Sequence, residues 1–174
     1  AAAAADVFLT WPDTVDAVRD TVEDMQARAQ HHGRSLRYGL RSHVIVRPTE
    51  AKARAAAQKL VSRLDAGTGE TIKKRSLDAA SVGVSRQVAL REGADDDGFA
   101  EANLWTGIGR ARSGAGAAIV GDPDQVVAKL RAYREAGIDA FILSGYPHID
   151  ECDLVAKYVL PKIEHKPLYS SDAG

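Results

Sequence analysis

The stretch Phe141-Ile-Leu-Ser-Gly-Tyr-Pro-His148 decides how this chain is read. Residues 141–144 suit a buried strand, and they run straight into a polar turn carrying Tyr146 and His148. Just upstream, residues 122–137 form a helix with marked ends: Asp122 suits the N-cap, Pro123 the first helical position and Gly137 the left-handed stop. Helix, short link, strand and a side-chain-rich turn make the αβ unit of a (β/α) barrel. In such barrels the turns that follow the strands carry the chemistry.

Working outward, the same alternation repeats. Asp6–Trp11 reads as a short, nearly continuous apolar strand of the parallel-sheet type, and a helix follows over residues 13–32, ended by Gly33. Arg37–Val46 is the second strand, and Pro48-Thr-Glu opens an alanine-rich helix to about Leu64. Residues 65–103 lose the pattern, apart from a helical piece near 81–91; so long an irregular connection reads as an insertion or lid. Residues 104–116 are glycine-spaced and basic, 117–120 form a strand, 150–163 a last helix with Leu154, Val155, Tyr158 and Val159 inward, and 166–174 a tail. The expected fold class is α/β, a (β/α)8 TIM-barrel type of which four βα units are present. A complete barrel needs about 250 residues, well beyond the 174 here.

Composition narrows the setting. A formal net charge of −1 and a pI near 6.6 give no field favouring nucleic acid or an anionic membrane. Cys152 is the single cysteine, which excludes an internal disulfide and fits a reducing compartment. No apolar run approaches the roughly 20 residues of a membrane span. A cytoplasmic protein is expected.

Several residues stand where chemistry is carried. Arg41 and His43 lie two apart in the second strand and share one face, while Leu40, Val44 and Val46 point the other way toward helices. A cation and an imidazole on an inner sheet face meet either an anion or a neighbouring carboxylate. Tyr146 and His148 follow the last strand, either as functional groups or with the tyrosine as a plug of the barrel mouth. Arg112, within Gly109-Arg-Ala-Arg-Ser-Gly-Ala-Gly116, sits either in a loop able to close a guanidinium on an anion or in a solvated basic segment. Trp11 ends the first strand and either lines a ring-binding pocket or packs the mouth. No Cys/His set has metal-ligand spacing, and no Gly-x-Ser-x-Gly elbow is present.

These segments in this order resemble the C-terminal half of the reduced-flavin-dependent alkanesulfonate monooxygenases, within the bacterial luciferase-like family. The matching pieces are Asp6–Trp11, Arg37–Arg47, Asn103-Leu-Trp-Thr-Gly-Ile-Gly109, Arg112–Gly116, Val120-Gly-Asp122 and, most specifically, Phe141–His148. The resemblance implies that Arg41, His43, Arg112 and Tyr146 are catalytic, with Trp11 and His148 as candidates for the substrate and flavin pocket. It implies reduced FMN and O2, an NAD(P)H-dependent FMN reductase as partner, an alkanesulfonate as substrate, aldehyde and sulfite as products, and a homo-oligomer.

The chain also departs from that family. The family's first four strands, its active-site cysteine and its serine-rich phosphate-binding turn have no counterpart. Cys152 lies on the last helix and cannot stand in for that cysteine. Pro12 follows Trp11 at once where the family has extra residues, so the sequence is expected to be part of a longer protein. Two other readings stand beside the first: another luciferase-like oxidoreductase, using a flavin or a deazaflavin, and a non-catalytic half-barrel that self-assembles or binds a partner through its open sheet edges.

Overall fold

A computed structural model describes residues 1–64, 81–110 and 116–166. In chain order the elements are β1 (Val7–Thr10), α1 (Val15–His31), β2 (Arg37–Val46), α2 (Glu50–Val61), α3 (Val82–Glu92), β3 (Phe99–Glu101), β4 (Leu104–Trp105), β5 (Ala118–Gly121), α4 (Pro123–Glu135), β6 (Ala140–Ser144) and α5 (His148–Tyr158). Short 3-10 turns cover Gly107–Arg110 and Leu160–Lys162. Among the described residues there are four strand–helix pairs, with α3, β3 and β4 inserted between the second and third.

Local chemistry sets the helix limits. The side chains of Thr14, Thr49, Ser81 and Asp122 each accept a hydrogen bond from a backbone amide of the first turn. Asp122 does more: Gln125 returns a bond to the Asp122 amide, completing a capping box, and Pro123 takes the first helical position. Helix α4 stops at Gly137, whose φ of +100° only glycine holds without strain. The first helix begins at Val15 rather than Asp13, because Thr14 is the residue whose side chain caps it. The last begins at His148 rather than Asp150: Pro147 holds the extended N-cap conformation, and Asp150 and Glu151 put negative charge in the first turn.

The sheet is organised around β2. Its ten residues pair in parallel with three strands: Arg37–Leu40 with β1, Gly39–His43 with β6 and His43–Val46 with β5. The hairpin β3–β4 extends the sheet beyond β5 in antiparallel fashion. A complete barrel sets each strand beside the next in sequence, so β6 would adjoin β5. Here β6 bonds to β2, whose length leaves backbone donors and acceptors for a third partner.

Helices cover both faces of the sheet. Leu40, Val44, Val46 and Ile119 pack with Val18 and Val22 of α1, with Leu130 and Tyr133 of α4, and with Val159 beyond α5. Ile45, Ala118 and Val120 alternate with them and pack instead with Ala53, Ala57 and Val61 of α2 and with Trp105. Alternate residues of a strand face opposite sides, so α2 and the hairpin lie across the sheet from α1 and α4. The sequence expectation for Leu40, Val44 and Val46 is met. The stretch 99–105, read as irregular and then glycine-spaced, instead forms the hairpin, because Phe99 and Trp105 bury themselves in this second core. Residues 65–80, part of the expected insertion, lie outside the described set, as does most of the expected tail.

A polar knot ties the link between β1 and α1 to α4. The Tyr133 hydroxyl donates to the Asp13 carbonyl at 2.6 Å, and Lys129 Nζ donates to Glu101 Oε1 at 2.7 Å. The Val15 amide donates to the same carboxylate oxygen. Burial pushes the Asp13 carboxyl above its ordinary 3.8, against weaker opposing pulls from the Thr14 amide and Arg86. The folded chain therefore holds this proton more tightly than the unfolded one. The contribution favours folding below pH 3.8 and is lost as the pH climbs through the raised value. Asp13→Asn is expected to gain stability relative to the parent as the pH rises from that range toward neutrality, read by urea unfolding at several pH values. Asp122→Ala, which removes the capping box, is expected to cost about 1 kcal/mol by the same measurement at one pH.

Candidate functional site

The face of β2 that carries Arg41, His43 and Ile45 gathers most of the residues singled out from sequence. Register does the gathering. Arg41 lies opposite Ile142 of β6, and His43 opposite both Ser144 of β6 and Ala118 of β5. One step past the last registered pair of β1, Thr10 with Leu40, brings Trp11 level with Arg41. Leu9, opposite Gly39, and Ile142, opposite Arg41, lie on this face, each about half exposed.

His43 is buried, with 1% of its surface exposed. Its Nδ1 and Ser144 Oγ are 3.0 Å apart in a hydrogen bond whose direction follows the imidazole tautomer. The Tyr146 ring lies against it, centroids 5.2 Å apart and planes inclined by 35°. His148 continues the stack at 4.8 Å from Tyr146 with the same inclination. His148 Nδ1 hydrogen-bonds the Gly145 carbonyl, and a carbonyl only accepts, so Nδ1 carries a proton. Ring exposure grades outward, from buried His43 through half-buried Tyr146 to exposed His148.

The turn that delivers Tyr146 is built by close approach. A Cβ on Gly145 would meet Glu151 Cβ at 2.4 Å and the Val44 carbonyl at 3.1 Å, so only glycine lets β6 pass between α5 and β2 there. The Tyr146–Pro147 peptide is cis. Glu151 itself is buried and forms a two-pronged ion pair with Arg47, one residue past the end of β2. Arg47 Nη1 also donates to the Val46 carbonyl at 2.8 Å. Breaking such a pair by removing one partner costs about 3–5 kcal/mol.

Trp11 lies elsewhere in its contacts. Its ring packs under Gly83 of α3 and lines a cleft of about 330 Å³ with Asp13, Thr21, Arg86 and Gln87. None of Arg41, His43, Tyr146 and His148 lines that cleft. Gln87 fastens α3 across this region, donating to the Pro12 carbonyl at 2.7 Å and accepting from the Gly116 amide at 3.0 Å. Arg112 lies outside the described residues.

The structure thus brings Arg41, His43, Tyr146 and His148 to one face. Ser144 joins them on that face, while the Arg47–Glu151 pair forms on the Gly145 side of the turn; none of the three was singled out from sequence. Arg47 continues the every-second-residue spacing of Arg41 and His43, and Glu151 falls one helical turn after His148, but neither spacing tells that the two meet. Among the described residues no group of His, Cys, Asp and Glu is placed to hold a metal, and no helix is long and apolar enough to cross a membrane.

Relatives share this sequence. The sulfoquinovose monooxygenase of Novosphingobium aromaticivorans is 64% identical over 168 residues, covering 97% of this chain and 46% of the relative. The sulfoquinovose monooxygenase of Agrobacterium fabrum is 53% identical over 159 residues, covering 91% of this chain and 41% of the relative. The chain therefore spans a little under half the length of the curated relatives it matches. Among solved structures, riboflavin lyase RcaE with a modified FMN and riboflavin superposes with a TM-score of 0.61 at 16% identity, over 92% of this chain and 38% of that one; this is likeness of fold. The α/β architecture is accordingly that of part of a luciferase-like barrel. The family model described as luciferase-like monooxygenase matches residues 1–140, and the chain belongs to that family.

Proposed function

We propose that this chain carries half of the catalytic barrel of a two-component flavin monooxygenase that desulfonates a sulfonated hexose of the sulfoquinovose type. The observation that carries this reading is 64% identity to a sulfoquinovose monooxygenase across 97% of the chain, beside the clustering of Arg41, His43 and Tyr146 in this structure. It narrows the alkanesulfonate substrate expected from sequence to a sugar sulfonate. The expected cofactors, reduced FMN and O2, and an NAD(P)H-dependent FMN reductase belong to the same proposal.

The residues present fit such a pair of ligands. Leu9 and Ile142 form an exposed apolar floor on the face that also carries Arg41 and His43, which suits a flat ring system beside hydrogen-bonding groups. Reduced FMN, when bound, supplies two electrons for the activation of O2. One oxygen atom ends on the carbon as an aldehyde, the other leaves as water, and the C–S bond electrons depart with sulfite.

The side chains have distinct tasks. Arg41 offers paired donors to a sulfonate, a geometry that lysine lacks. Ser144 orients the His43 imidazole, and Tyr146 presents a hydroxyl next to it that can hold or pass a proton. Arg112 supplies a second guanidinium for anionic oxygen in this reading. Trp11, beside a cleft lined by Asp13, Thr21 and Arg86, offers a flat face for the C–H side of a sugar ring.

Sulfite release tests the proposal directly. The purified protein, with a flavin reductase, NAD(P)H and FMN, is assayed on sulfoquinovose and on a series of linear alkanesulfonates. Sulfite from sulfoquinovose in clear preference is expected, and Arg41→Ala or His43→Ala should each lower kcat/KM by about 10²- to 10³-fold. Sulfite from the linear series alone would restore the alkanesulfonate reading. None from either would remove desulfonation and leave a deazaflavin enzyme or a non-catalytic assembly.

A further inference from the structure

The ion pair between Arg47 and Glu151 is an unusual way to join a strand to a helix. Glu151 has only 3% of its side chain exposed, and Arg47 has 24%. Well-packed apolar residues generally hold such a joint at least as firmly, because two charges lose their hydration on burial. What a two-pronged pair adds is direction: a planar guanidinium meets a planar carboxylate in one orientation.

That direction bears on the ring stack. Arg47 lies four residues beyond His43, one past the end of β2, and its Nη1 is also held by the Val46 carbonyl. Glu151 belongs to the first turn of α5, directly after the turn that carries Tyr146. The stem of Glu151 fills the space a side chain on Gly145 would need, and the Glu151 amide donates to the Pro147 carbonyl at 3.1 Å. His148 bonds the Gly145 carbonyl from the other side. Residues 145–148 are therefore gripped by Glu151, and Glu151 is gripped by the strand that bears His43.

We infer that Arg47 and Glu151 are positioning residues whose paired contact sets the Tyr146 ring against His43 and so places the tyrosine hydroxyl over the candidate site. The catalytic consequence rests on the desulfonation reading given above; the geometric one does not. A shift of about 1 Å in a reacting group can cost on the order of a hundredfold in rate, while substrate binding through other groups persists.

Nuclear magnetic resonance of the intact protein with labelled histidine gives a readout independent of turnover. The Tyr146 ring at 5.2 Å should displace the His43 ring-proton resonances, and Tyr146→Leu assigns that displacement by abolishing it. In the paired variant Arg47→Met with Glu151→Leu, which keeps bulk and leaves no stranded charge, the fold should be retained by thermal unfolding. The displacement should nevertheless collapse, and kcat for sulfite release should fall on the order of a hundredfold with KM little changed. Arg47→Lys keeps the charge without the fork, and it should fold and recover the displacement only in part. A paired variant, or Arg47→Lys should the pair fail to fold, that keeps both the parental displacement and the parental kcat would overturn the inference and leave a purely structural joint. If the parent releases no sulfite, the desulfonation reading falls while the resonance displacement still decides the positioning role.

Discussion

Backbone hydrogen bonding along β2 is the constraint on which the rest of this structure depends. A strand of ten residues presents alternating donors and acceptors on two edges, and each must find a partner once the strand is buried. In this chain β1, β6 and β5 supply those partners at successive heights. Everything else follows from the two faces that this arrangement leaves. One face takes α1 and α4 on Leu40, Val44 and Val46; the other takes α2 on Ile45 and leaves Arg41 and His43 for polar work.

Placing an imidazole in so apolar a setting is tolerable only with a partner for its ring nitrogens. Ser144 provides one at the level the β2–β6 register dictates, so the same pairing that completes β2 also gives His43 Nδ1 its partner. The aromatic contact with Tyr146 then follows from chain direction, since residue 146 lies two beyond the serine. Site and sheet are built by one set of hydrogen bonds. A slip of one residue in that register would turn every side chain of β6 to the opposite face.

The chain belongs to the luciferase-like family and is highly identical to sulfoquinovose monooxygenases, and the proposed sugar-sulfonate reading assigns its chemistry to the clustered Arg41, His43 and Tyr146. The cleft beside Trp11 adjoins this face through Leu9, which lines it. It is formed where α3 crosses the end of β1, held by Gln87 between Pro12 and Gly116. Residue chemistry there, an indole with Asp13, Thr21 and Arg86, differs from the guanidinium, imidazole and phenol set on β2.

By itself the sequence determined what is local. Caps at Asp122 and Gly137, the bounds of β2 and β6, the helix near 81–91 and the shared face of Arg41 and His43 were legible, because periodicity and end chemistry act over a few residues. The resemblance carried in residues 6–11 and 37–47 lies within the 1–140 match to the luciferase-like family. Tertiary structure alone decided what depends on contacts distant in sequence. It seated β6 against β2, made a hairpin of Phe99–Trp105 by burying both aromatics, and split the helices between two faces. It also joined Arg47 to Glu151 across 104 positions of chain. No local pattern announces such a pair. An arginine and a glutamate read as surface charges until the fold removes the water around them.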